Sequence, residues 1–253
     1  MQNIEKQVSL KNMSFLKPWK QITFFVIGLV GLIIIELVAQ LLLISIARLA
    51  YGNTYLYDDF VDSSLASMIL NGSSYLILGI IFIILIKEDD NELFKSFKGW
   101  KPYVAAAIGL ASIMTFNVIY NLILSATGAI VTDNANETSL NTMVTTFPFT
   151  SILIFAFVGP ICEELTYRVG LFSFMRRINV YLAYIVTIIV FTLIHFDFTS
   201  QTMTNELLNI PFYAFAAITF CFLYERFGFA ASVTSHVANN LISILATILS
   251  VFK

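Results

Sequence analysis

Apolar positions fall along this chain in long blocks, not in alternation. From Ile22 onward, runs of about 20 residues are cut by short polar connections, and none carries the period-two pattern of a barrel strand. Seven runs predict helices, at roughly Ile22–Ala50, Leu65–Ile86, Pro102–Thr127, Phe149–Phe172, Val180–Phe196, Leu207–Tyr224 and Phe229–Val251. Such lengths suit a hydrocarbon core of about 30 Å, in which a single segment satisfies its own backbone only as a helix. The pattern predicts an all-α fold, a polytopic membrane helix bundle of about seven to eight transmembrane helices. By position the chain divides into a cytoplasmic tail, 1–21, N-terminal transmembrane helices, 22–148, and a helical core, 149–253, all in one integral membrane domain.

Composition agrees with the pattern. Of 253 residues 58% are hydrophobic and 12% charged, with mean hydropathy +0.84, which leaves too little charged surface for a soluble domain of this size. Cys162 and Cys221 both lie in apolar runs, which argues against a disulfide framework. The first apolar run is too long for the core of a cleavable signal peptide. Charge adds orientation. Twelve of the 14 Lys and Arg fall in the N-terminal tail, the second connection, the approach to the fourth and the sixth. The opposite connections carry Asp58, Asp59, Asp62, Asp133, Glu137, Asp197 and Glu206. Basic residues mark the cytoplasmic side, so the expected location is the cell membrane, multi-pass, with the N-terminus cytoplasmic.

Few strongly polar residues remain inside the runs: Glu36 with Gln40, Asn117 with Asn121, Glu163 and Glu164 with Arg168, His195, and His236 with Asn239 and Asn240. An ionisable group at mid-bilayer costs about 2.5–3.5 kcal/mol on insertion scales, so it faces protein or water. Glu164 and Arg168 are four apart and can pair on one helix face, while Glu163 points about 100° away. Pro160 breaks the backbone ladder just before them. Glu163 and His195 lie equally far from a turn at Asn179, about 24 Å at 1.5 Å per residue, which predicts convergence at one depth in the cytoplasmic half of the bundle. The two i, i+4 amide and carboxyl pairs on the first and third helices read as interhelical hydrogen-bonding groups.

Glutamate with histidine can deprotonate a water, and a second histidine with an asparagine can donate to an oxyanion. One glutamate and two histidines are equally a zinc set, here Glu163, His195 and His236. Both routes lead to hydrolysis of an amide within the membrane.

Three short motifs then point to a family. "EELTYR" fits EExxxR (Glu163, Glu164, Arg168), "FTLIH" fits FxxxH (Phe191, His195) and "HVANN" fits HxxxN (His236, Asn240). In this order, on successive apolar helices between Phe149 and Val251, they resemble the CPBP family of CAAX proteases and bacteriocin-processing proteins, also called Abi. The resemblance implies an intramembrane endopeptidase in which Glu163 is the principal base and His195 helps to activate water. It gives His236 and Asn240 to the oxyanion and Glu164 with Arg168 to support. It favours a glutamic-type, metal-free site, with zinc as the alternative cofactor. The implied partners are a lipid bilayer and a membrane-associated peptide or protein substrate, without nucleic acid. The implied roles are bacterial peptide processing, signalling or bacteriocin self-immunity. Two other classes compete: a proton-coupled transporter using the same carboxylates as a relay, and a non-catalytic immunity or scaffold protein.

Overall fold

A computed structural model describes residues 16–86, 91–129 and 132–251. Ten helices follow in those residues: α1 Pro18–Tyr51, α2 Tyr55–Val61, α3 Ser64–Ile86, α4 Asn91–Lys95, α5 Lys101–Ala126, α6 Ala135–Thr146, α7 Pro148–Ile178, α8 Val180–Leu193, α9 Met203–Phe227 and α10 Phe229–Val251. Six of them, α1, α3, α5, α7, α9 and α10, are long and apolar enough to cross a membrane. Proline at the first turn starts α1, α5 and α7, where its missing N–H has no partner to lose.

The expected boundaries need two corrections. The first helix begins at Pro18, inside the tail expected over 1–21, and most of that tail (1–15) lies outside the described residues. The fifth apolar run forms only the 14-residue α8, about 21 Å long, and stops at Leu193 before His195. Three short helices fall outside the expected runs: α2, α4 and α6, the last a 12-residue helix too polar to register as a span. Asn134 caps it by accepting from the Glu137 N–H at 2.9 Å.

The site is built around α7. It is not a regular α-helix: π-helical turns cover Ile152–Val158 and Leu165–Phe172 and leave an α-helical stretch, Gly159–Glu164, between them. Wide turns of this kind recur at functional sites because they rotate side chains out of regular register. The second wide turn is almost wholly buried and packs against the start of α1. Gly170 makes this contact possible, since a Cβ there would lie 2.7 Å from the Phe25 nitrogen. Asn179 then starts α8, its Oδ1 accepting from the N–H groups of Tyr181 and Leu182. Gly228, at φ 86°, turns α9 back into α10.

Two polar networks mark the two ends of the bundle. At one end Arg177 donates to Gln21 and to the Leu16 carbonyl, each at 2.7 Å, Arg176 pairs with Glu225 at 2.7 Å, and the Ala230 N–H donates to Ser96. At the other, buried Glu206 accepts from the N–H groups of Ala135 (3.0 Å) and Asp197 (3.2 Å), and Asn205 donates to the Asp133 carbonyl at 2.9 Å. Glu36 and Gln40 are exposed on α1, and the Asn121 amide donates to Asn117 within its own helix. Neither pair joins helices in this chain in the expected way.

Candidate active site

A cavity of about 210 Å³ opens among α3, α6, α7, α8, α9 and α10. Glu163, His195, His236 and Asn240 all line it. Seven of its lining residues precede Phe149, among them Tyr75 on α3 and Glu137 on α6. The core expected over 149–253 therefore does not enclose the site alone.

The two adjacent glutamates occupy different environments. Glu164 has no exposed side-chain surface and pairs with equally buried Arg168 at 3.0 Å. It also contacts His236 Nδ1 at 2.9 Å and accepts from the Ser232 hydroxyl. The Arg168 guanidinium lies over Phe191 at 4.6 Å and over Phe220 at 5.2 Å, so its charge meets a carboxylate and two ring faces. Glu163, one residue earlier, keeps 15% of its side chain exposed and faces the cavity. Its Oε1 accepts from Tyr75 Oη at 3.0 Å, and its Oε2 lies 3.7 Å from His236 Nε2.

Hydrogen-bond partners fix the state of both imidazoles. His195 Nδ1 lies 2.7 Å from the Phe191 carbonyl, which can only accept, so that nitrogen carries a proton. The neutral ring then presents an unprotonated Nε2. The partner of His236 Nδ1 is Glu164, held as a carboxylate by Arg168, and the same reasoning leaves its Nε2 as the variable position. Phe220 stacks on the His236 ring at 4.4 Å and Tyr213 on the His195 ring at 4.6 Å, fixing both planes. Asn240 donates one amide hydrogen to the Phe155 carbonyl at 3.1 Å, in the first wide turn of α7.

His195 is placed by its connection and not by a helix face. The run expected over Val180–Phe196 would put His195 on a helix, but α8 stops at Leu193. Asn134 instead holds the His195 carbonyl at 3.1 Å while capping α6, so one residue ties the histidine to the helix across the cavity. Tyr75, Asn134, Glu137 and Tyr213 escape sequence reasoning as site residues: the tyrosines do not stand out in apolar helices, and Asn134 and Glu137 lie in a polar segment where such residues are ordinary. The cavity also lies toward the Glu206 end of the bundle, away from Arg176 and Arg177. It is not in the half where the basic residues cluster, as the depth count had placed it.

Among the described residues, no three His, Cys, Asp or Glu side chains converge as a metal-holding group. In the set Glu163, His195 and His236 the Phe191 carbonyl and Glu164 engage the two Nδ1 atoms and Tyr75 engages Oε1 of Glu163, which leaves both Nε2 atoms and Oε2 of Glu163 as the atoms that would face a metal.

Three motifs on three helices lining one cavity raise the question of kinship. Residues 145–242 match the family model of the type II CAAX prenyl endopeptidases called Rce1-like, within the CPBP family. The matched stretch is about two fifths of the chain. No curated protein and no solved structure matches it. The matched stretch spans the end of α6 through most of α10 and contains all seven motif residues. The family is one of proteases, and on a bundle of apolar helices the match supports an intramembrane protease.

Proposed function

We propose that this protein is an intramembrane endopeptidase that hydrolyses a peptide bond of a membrane-associated peptide or protein through water activated by Glu163. The observation that carries the reading is the asymmetry of the glutamates: Glu164 is committed to Arg168 and His236, whereas Glu163 faces the cavity. Glu163 removes a proton from water as the water oxygen attacks the carbonyl carbon, and the unprotonated Nε2 of His195 accepts from the same water. Charge develops on the carbonyl oxygen, which His236 in its imidazolium form and the second amide hydrogen of Asn240 receive. The C–N bond then breaks, and the proton held by Glu163 passes to the leaving nitrogen. No step requires a metal. Tyr75 orients Glu163, and Arg168 with Ser232 holds Glu164 so that His236 keeps its tilt.

Peptide processing, signalling or bacteriocin self-immunity in a bacterial membrane is the biological setting we favour. The test compares membrane-associated peptides by mass spectrometry in cells carrying the wild type and Glu163→Ala at equal expression. Loss of specific cleavage products in the variant is expected. Unchanged peptide profiles, with immunity or signalling retained, would favour a scaffold instead.

A further inference from the structure

The cavity and the basic residues lie at opposite ends of the bundle. At one end are Lys17 and Lys20 before and in α1, Lys95 and Lys98 before α5, Lys101 at its start, Arg176 and Arg177 at the α7–α8 turn, and Arg226 at the end of α9. The contacts of Arg177 with Leu16 and Gln21, of Arg176 with Glu225 and of Ser96 with Ala230 bring these segments to one face. Exposed Trp19 and Trp100 stand there too, where indole rings anchor a bundle at the lipid headgroups. Arg168, which sequence alone assigns to this group, is buried against Glu164 and drops out of the count.

At the other end are Asp58, Asp59 and Asp62 between α1 and α3, Asp133 before α6, Asp197 after α8, and, among the described residues, one exposed cation, Arg48. The cavity belongs to this end. Asn136, Glu137 and Ser139 of α6 line it, and α6 is bound to the His195 connection through Asn134 and to α9 through Glu206. Asn71 contributes from the eighth residue of α3, at the end of that helix near α2, and Tyr213 from the first half of α9. Lys and Arg are absent from its lining.

Positively charged connections stay in the cytoplasm. The geometry points to a cavity that opens to the face opposite the cytoplasm, so that its substrate is a peptide segment already translocated or exported, and not a cytoplasmic C-terminal tail. This rests on the protease reading only for the word substrate; the direction of opening stands on the bundle alone.

Two measurements test it separately. Single-cysteine variants Ser139→Cys, at the cavity, and Lys101→Cys, at the basic end, are treated with a membrane-impermeant maleimide in intact cells and after lysis. The native Cys162 and Cys221 are buried and serve as the unlabelled background. Ser139→Cys should label in intact cells and Lys101→Cys only after lysis, with Asn136→Cys carrying the same expectation as Ser139→Cys should that variant express poorly. Labelling in the reverse order, or of both sites in intact cells, overturns the proposal. Second, an internally quenched mixture of polar random peptides is added to sealed right-side-out or inside-out vesicles. Glu163-dependent cleavage is expected in the right-side-out vesicles, and cleavage confined to inside-out vesicles overturns the sidedness while leaving the protease reading intact. Cleavage in neither preparation counts against the protease reading, and the maleimide pattern alone then decides the sidedness.

Discussion

Neutralising Glu164 should damage the fold, whereas neutralising Glu163 should damage only the chemistry. Glu164→Gln leaves the Arg168 guanidinium with no exposed surface and no carboxylate, set against the rings of Phe191 and Phe220. Breaking a buried ion pair by removing one partner costs about 3–5 kcal/mol, because the surviving charge stays desolvated. At about 2–4 °C per kcal/mol for a chain of this size, the midpoint of thermal unfolding should fall by on the order of 10 °C. Glu163→Gln keeps an oxygen to accept from Tyr75 and sits at a partly exposed position, so its cost should stay below about 1 kcal/mol. The assay is thermal unfolding of purified protein in one detergent, with the double variant Glu164→Gln/Arg168→Met completing a cycle. The double variant should be more stable than Glu164→Gln alone, because it removes the orphaned cation. Equal midpoints for the two single glutamine variants, or a double variant less stable than the sum of its parts, would refute the division between the glutamates.

Further outcomes follow from local geometry. Gly170→Ala pushes a Cβ into the Phe25 backbone and should cost about 1–3 kcal/mol by loosening α1 from α7, seen as a lowered unfolding midpoint. Asn134→Ala removes the α6 cap and the hold on the His195 carbonyl; it should cost about 1 kcal/mol in stability and lower cleavage further than a surface cap would. Burial first, and then the Asp133 charge, holds the Glu137 carboxyl above its ordinary range. A raised folded-state value means that the protein loses stability as pH climbs from the ordinary carboxylate range through that value. Glu137→Gln should therefore gain over the wild type at pH 8 and match it at pH 4, as read from unfolding midpoints across pH. Dialysis against a chelator should leave Glu163-dependent cleavage unchanged, whereas loss of cleavage restored by zinc would decide for the metal alternative.

The sequence made the helices legible wherever a whole segment had to be apolar, because lipid imposes its demand on every residue of a span. It was less informative where a segment lies beside the bundle. α6 carries Thr, Asn and Glu at about half its positions and resembles a loop, yet it closes one side of the cavity. The motif residues were readable because polar groups at helical spacing stand out against an apolar background. The Glu164–Arg168 pair follows directly from the i, i+4 rule. Tyr75 leaves no such trace, being a tyrosine in an apolar helix, and its contact with Glu163 spans 88 positions. Depth was readable only in part. Counting from Asn179 brought Glu163 and His195 to the same cavity, but the rise of a regular helix does not apply to wide turns, and α8 ends two residues before the histidine. The direction of the opening needed the contacts of α6, which no spacing rule supplies.

The most direct test of the account is the rate at which purified protein in lipid nanodiscs cleaves a peptide identified from the cellular comparison, wild type against Glu163→Gln. A positioned general base contributes about 10²–10⁴ in rate, so cleavage should fall by that factor while the unfolding midpoint stays within about 2 °C of the wild type. A Glu163→Gln protein that is folded and cleaves at the wild-type rate would contradict the assignment of Glu163 as the base.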